Sequence, residues 1–170
     1  MTRFNLKKSS LLALLMLLAM FFAVSCDVAQ EENNTDNSET SVFVNVPDNL
    51  IGTWEFHGQW DESYTITIDS FTNGYYAGNN AKVYKTDENS GYIYIQYTKA
   101  MNADYSYSET APDVGKWYAI AYKELTDSTL KLSGAYKADG KSATSTIEDA
   151  KSEFTIENGY FDFYSELTKK

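Results

Sequence analysis

The chain is 170 residues long, with 14 basic and 24 acidic side chains and a formal net charge of −10. Nucleic acid and anionic lipid surfaces are gripped by clustered Lys and Arg, so this balance speaks against both as direct partners. A single cysteine rules out an internal disulfide, and a single histidine, His57, leaves any Ser-His-Asp or Cys-His arrangement dependent on one imidazole.

Arg3, Lys7 and Lys8 precede an unbroken apolar run of fourteen residues, Leu11 to Val24. This is the layout of an export signal, and it is too short for a permanent span, which needs about 20 apolar residues to cross roughly 30 Å of hydrocarbon. The next residues, Ala23-Val24-Ser25-Cys26, resemble the lipobox of bacterial lipoproteins. That resemblance implies removal of residues 1–25 and lipid attachment at Cys26, with acylation of the new N-terminus. Two or more acyl chains anchor stably where one binds marginally. The implied location is the cell envelope, anchored to a membrane after export. Asp27 resembles the residue that retains lipoproteins in the inner membrane of some enteric bacteria; sorting rules differ among bacteria, so inner and outer membrane both stay open. A lone cysteine with no disulfide partner in an exported chain fits the same reading.

Removing residues 1–25 leaves 145 residues, whose 11 lysines stand against all 24 acids for a net charge of −13. Residues 26–41 read as the lipidated cysteine and an acidic tether rich in Asn, Ser and Thr, too poor in apolar side chains to order itself. Its fifteen residues after Cys26 reach on the order of 20 Å as a flexible chain. Residues 42–170 form the folded domain, large enough to build a core without disulfide staples.

From Val42 onward short alternating runs rich in aromatic and β-branched residues predict half-buried strands. Tyr64, Ile66 and Ile68 alternate with polar neighbours. Gly91 to Tyr97 places Ile93, Ile95 and Tyr97 on one face and Tyr92, Tyr94 and Gln96 on the other. Trp117 to Leu125 is apolar on both faces, which predicts a strand covered on both sides. Leu130, Leu132 and Tyr136 alternate with polar residues in a further strand. Asn73-Gly74, Asp139-Gly140 and Asn158-Gly159 carry the chemistry of tight hairpins with positive φ, and Asp87 to Gly91 suits a longer turn. The strongest hairpin signal places Asn158-Gly159 between strands over Phe154–Glu157 and Tyr160–Phe163.

Ala143 to Phe154 fits two readings. Ile147, Ala150 and Phe154 have helical spacing, with Thr144 or Ser145 placed to cap ahead of Glu148; alternatively the segment extends the final hairpin backwards as strand. About eight short strands joined by tight turns imply an all-β domain, either a closed antiparallel barrel or a two-layer sandwich.

The segment Leu50-Ile51-Gly52-Thr53-Trp54-Glu55-Phe56 resembles the first strand of lipocalin-like domains, in which Gly-x-Trp opens the barrel. Trp117 to Ser133, an apolar strand turning through a polar corner into Leu130-Lys131-Leu132, resembles the same domains in small bacterial lipoproteins. The likeness of strand order covers residues 46–165. It implies an up-and-down antiparallel β-barrel of about eight strands, with Gly52 and Trp54 as the motif residues. In the best-known lipocalins an arginine late in the chain packs across that tryptophan; the mature chain here has no arginine, and no Thr-Asp-x-Tyr motif lies between its middle strands. The likeness is therefore to the broader calycin-like group.

The residues point to binding rather than catalysis. Gly58 and Glu55 beside His57 form no recognised catalytic signature, and Cys/His metal clusters are ruled out by composition. Asp61-Glu62 and Asp87-Glu88-Asn89 are acid-rich turns without the alternating spacing of a calcium loop. No phosphate loop or dinucleotide fingerprint occurs, so no cofactor or metal is expected. The expected role is to hold a small hydrophobic or amphipathic ligand in the barrel; the alternative is an envelope or surface interaction protein that meets a protein or glycan through a Tyr-rich face around a side-chain-filled barrel.

Overall fold

The structure is a computed structural model that describes residues 42–58 and 61–170; the signal segment, Cys26 and the tether lie outside them. Nine strands follow in chain order: β1 (Gly52–His57), β2 (Asp61–Ile66), β3 (Phe71–Thr72), β4 (Ala77–Lys85), β5 (Gly91–Met101), β6 (Tyr107–Ser108), β7 (Trp117–Lys123), β8 (Thr129–Gly134) and β9 (Ser165–Lys169). Each pairs antiparallel with its neighbours in the order β4-β3-β2-β1-β9-β8-β7-β5, and a further β4–β5 ladder joins the ends into a closed eight-stranded barrel. Two-residue β6 hangs on β5 outside that ring. Closure removes the free edges that would otherwise template aggregation, and it decides between barrel and sandwich.

Directly opposed residues share a face, so the register shows which side chains point inward. Trp54 faces Tyr64, Ile66 faces Phe71, Val83 faces Ile93, Ile93 faces Ile120, Tyr122 faces Leu132 and Leu130 faces Leu167. All are buried. On the opposite face of β5 and β7, Tyr92, Tyr94, Ala119 and Ala121 are buried as well. That face is covered from outside: Phe43 meets Tyr94 edge-on at 5.4 Å, Phe161 lies 5.4 Å from Tyr92, and helix α1 (Ile147–Glu153) packs on β7. The two-sided burial expected for Trp117–Leu125 follows from this layer, with the strand itself ending at Lys123.

The base of the barrel is closed by a tight turn over Pro47–Leu50, whose Leu50 is fully buried. Trp54 Nε1 donates to the Leu50 carbonyl at 2.9 Å, tying the turn to β1. Because β3 has only two residues, the later part of β4 lacks a β3 partner there, and Val44 fills the gap with reciprocal backbone bonds to Val83 at 2.8 and 2.9 Å.

Several local expectations are corrected. Ala143–Phe154 contains a helix, but a shorter one, Ile147–Glu153, and its N-cap is Thr146, whose hydroxyl accepts from Asp149 N at 3.1 Å. Thr144 instead bridges Trp117 in a backbone pair. Asn158-Gly159 does not close a β-hairpin, because neither flanking segment is strand. The Asn158 amide donates to the carbonyls of Ser152 and Glu153 at 3.1 and 2.8 Å, capping the end of α1, and Gly159 takes φ +77° just beyond. Asp139-Gly140 lies in the connection from β8 to α1, where Gly140 does not adopt positive φ. The strands through Ile66 and Leu132 end sooner than the alternation suggests, leaving Ile68 and Tyr136 exposed in connections. Asn73-Gly74 does make the β3–β4 turn, with Gly74 at φ +85° and the Asn73 carboxamide accepting from Tyr75 N and Tyr76 N. The longer turn at 87–91 joins β4 to β5 as expected.

Candidate functional site

Side chains occupy the middle of the barrel. Tyr97 stacks on Tyr118 at 4.9 Å, Tyr76 meets Tyr118 edge-on at 5.3 Å, and Tyr118 donates its hydroxyl to Ala135 O at 3.1 Å. A Cβ at position 134 would come within 2.5 Å of the Tyr118 oxygen, so glycine there gives the hydroxyl its room. Burial pushes the Tyr76, Tyr97 and Tyr118 phenols well up from their ordinary range, which keeps the cluster neutral. Inward-facing tyrosines therefore serve as packing here instead of lining an open cup.

Space for a ligand opens in the wall. β1 and β9 pair only at Trp54↔Lys169 and Glu55↔Thr168. Beyond that β1 runs on through Phe56 and His57, while β9 stays bound to β8 from Ser165 to Thr168. The two strands part, leaving a half-open slot of about 790 Å³, a size in the usual range of roughly 300 to 1,000 Å³ for small-molecule sites. Its apolar floor is Phe56, Leu130 and Leu167, the last two buried in the core. The Phe56 ring lies against Gly58, where a Cβ would approach to 2.3 Å.

The rim is charged. Lys131 spans Glu124 at 2.9 Å and Glu166 at 3.1 Å, and these two hydrogen bonds hold its ammonium above its ordinary range. Glu55 pairs with Lys170 at 3.0 Å, and His57 Nε2 stands 3.7 Å from its other oxygen. Tyr164 completes the wall, its ring carrying the Lys123 ammonium at 3.7 Å from the centroid, and burial raises its phenol.

Of the residues singled out in the sequence, Trp54 is fully buried near Gly52, which adopts φ +149°, and neither lines the slot. His57 lies on the slot rim, largely exposed, between Glu55 and Asp61. The Asp87 turn is self-contained, its carboxylate accepting from Asn89 N at 2.8 Å. Among the described residues no three His, Cys, Asp or Glu side chains converge as a metal site would require, and no helix is long and apolar enough to cross a membrane. Sequence reasoning did not find the slot, because its residues come from three strands, the β7–β8 turn and the connection before β9, with no shared local pattern.

Comparison with known proteins found no matching family model, no matching curated protein and no matching solved structure.

Proposed function

We propose that this protein is an envelope lipoprotein, anchored through lipid on Cys26, whose lipocalin-like barrel binds a small hydrophobic or amphipathic molecule in the slot between β1 and β9, without catalysing a reaction on it. The observation that carries this reading is the slot itself: an apolar floor under a charged rim, about 790 Å³ in volume. Apolar burial supplies binding energy at roughly 25 cal/mol per Å², and the few polar groups at the rim supply orientation. The lipobox-like residues and the tether explain how so acidic a domain would stay beside a bilayer that it has no basic patch to grip.

Native mass spectrometry of the domain beginning at Val42, purified without detergent from its host, tests the binding role. A co-purifying apolar molecule that disappears in Leu130→Trp, which fills the slot floor, supports it; an unliganded protein that takes up no alkyl compound contradicts it. The anchor is tested separately by the mass of the N-terminal peptide carrying Cys26.

A second reading is favoured by one observation. Tyr75 is 52% exposed and lies 5.6 Å from Tyr107, close to the connection from β5 to β6 that carries Tyr105, 79% exposed at φ +66°. Such an aromatic surface on a side-chain-filled barrel suits contact with a protein or glycan.

A further inference from the structure

We infer that Asn73 is a site of self-modification: its carboxamide cyclises onto the Gly74 nitrogen, loses ammonia and is opened by water, leaving aspartate or isoaspartate in the turn between β3 and β4. The chain has two Asn-Gly pairs in almost the same local sequence, Thr72-Asn73-Gly74-Tyr75 and Glu157-Asn158-Gly159-Tyr160. In both, the residue after the asparagine has no Cβ to hinder the approach of its nitrogen. Local sequence therefore treats the two alike, and the fold separates them at each of the three groups that react.

The nucleophile is the backbone nitrogen of the glycine. The Gly159 N–H donates to the Ile156 carbonyl at 2.9 Å, whereas Gly74 is exposed and its N–H makes no hydrogen bond among the described residues. The electrophile is the carboxamide carbon, whose oxygen gains negative charge as the ring closes. Asn73 Oδ1 already accepts from Tyr75 N and Tyr76 N, both at 3.1 Å, so two backbone donors stand where an oxyanion hole would place them. The leaving group is the amide nitrogen. Asn158 Nδ2 is held by the carbonyls of Ser152 and Glu153 at 3.1 and 2.8 Å, while Asn73 Nδ2 has no partner among the described residues.

In the first step the bond from Gly74 N to Asn73 Cγ forms as that nitrogen gives its proton to solvent. The Cγ–Nδ2 bond breaks, and Nδ2 takes a proton from solvent and leaves as ammonia. Water then opens the cyclic imide at one of its two carbonyls, giving aspartate or isoaspartate, with no oxidant, metal or second protein required. The two N–H donors suit a carboxylate better than a carboxamide, and the Lys99 ammonium stands nearby, 3.2 Å from the Gly74 carbonyl. Conversion adds a negative charge beside the paired Tyr75 and Tyr107 rings, so the aromatic surface changes with the age of the molecule.

Incubation of the folded protein at neutral pH in heavy-oxygen water, followed by peptide mapping by mass spectrometry, tests this. The expected result is amide-to-acid conversion about tenfold faster at Asn73 than at Asn158, the ratio that a barrier difference of about 1.4 kcal/mol produces. The Asn73 peptide should carry heavy oxygen and appear in both aspartate and isoaspartate forms. In urea beyond the unfolding transition the two rates should converge, because the local sequences match. Equal rates in the folded protein, faster conversion at Asn158, or an Asn73 preference that persists undiminished in urea would overturn the inference.

Discussion

The Lys169 ammonium stands 4.9 Å from the centre of the Trp54 ring and donates to the Asn49 carbonyl at 3.3 Å, so one lysine joins the end of β9 to the first turn and first strand of the barrel. The cation comes from the last strand and the ring from the first, and Trp54↔Lys169 is one of only two pairs in their ladder. An arginine was the partner that the lipocalin resemblance implied for this tryptophan; a lysine in β9 stands over the ring here. Lys169→Met should cost about 0.5 to 1 kcal/mol in denaturant unfolding, the usual worth of a partly exposed cation–π contact, and Lys169→Arg should restore it. Equal stability of all three proteins would show that the contact carries nothing.

Tyr122 poses the opposite case. Its side chain is buried, yet its hydroxyl has no hydrogen-bond partner among the described residues. A buried unsatisfied donor costs about 1 to 3 kcal/mol. Tyr122→Phe should therefore leave the midpoint of urea unfolding unchanged or raise it. A clear drop in stability would mean that the hydroxyl is satisfied in solution.

Alkaline pH should unfold the domain. Burial, with the hydrogen bond to Glu62 second, pushes Tyr64 up to about 12 from the usual 10.0, and burial with the nearby Asp87 charge does the same to Tyr122. In the unfolded chain these phenols ionise near their usual value, so between about 10 and 12 the unfolded state has lost protons that the native state retains. The stabilisation is complete below pH 10 and is lost as pH rises through 12. Circular dichroism against pH should show a cooperative loss of structure in that window, coincident with tyrosinate absorbance. Tyrosinate formation there without loss of structure would contradict the burial described.

Two side chains bracket helix α1. Thr146→Ala removes the N-cap hydroxyl that accepts from Asp149 N, and Asn158→Ala removes the amide that satisfies the carbonyls of Ser152 and Glu153. Each should cost about 1 kcal/mol in thermal or denaturant unfolding. Since α1 covers the outer face of β7, hydrogen exchange in Ala119 and Ala121 should accelerate in both variants, whereas exchange in β1 should not.

How far the sequence revealed the fold is clearest at two Asn-Gly pairs. Asn73-Gly74 turns a hairpin between β3 and β4, and Asn158-Gly159 ends a helix. Both use the same physics, a glycine at positive φ beside a carboxamide that bonds the backbone, so the dipeptide alone does not distinguish them. What decides is the stretch before it: Thr146 caps a helix over Ile147–Glu153 that buries Ala150 against the barrel. Strand alternation around Tyr64, Ile93 and Leu130 was legible because half-buried strands repeat every two residues. The slot was not, since it arises where residues about 110 positions apart, Phe56 and Leu167, stop pairing, and nothing local records that.

The most direct test of the ligand site is photolabelling with a diazirine-bearing uncharged dodecyl probe, followed by peptide mapping of the attachment points. The expected labels fall on Phe56, Leu130, Tyr164 and Leu167 and vanish with excess unlabelled dodecyl compound. Saturable labelling concentrated elsewhere, such as on Tyr75, Tyr105 and Tyr107, or labelling that competitor does not reduce, would contradict a binding slot between β1 and β9.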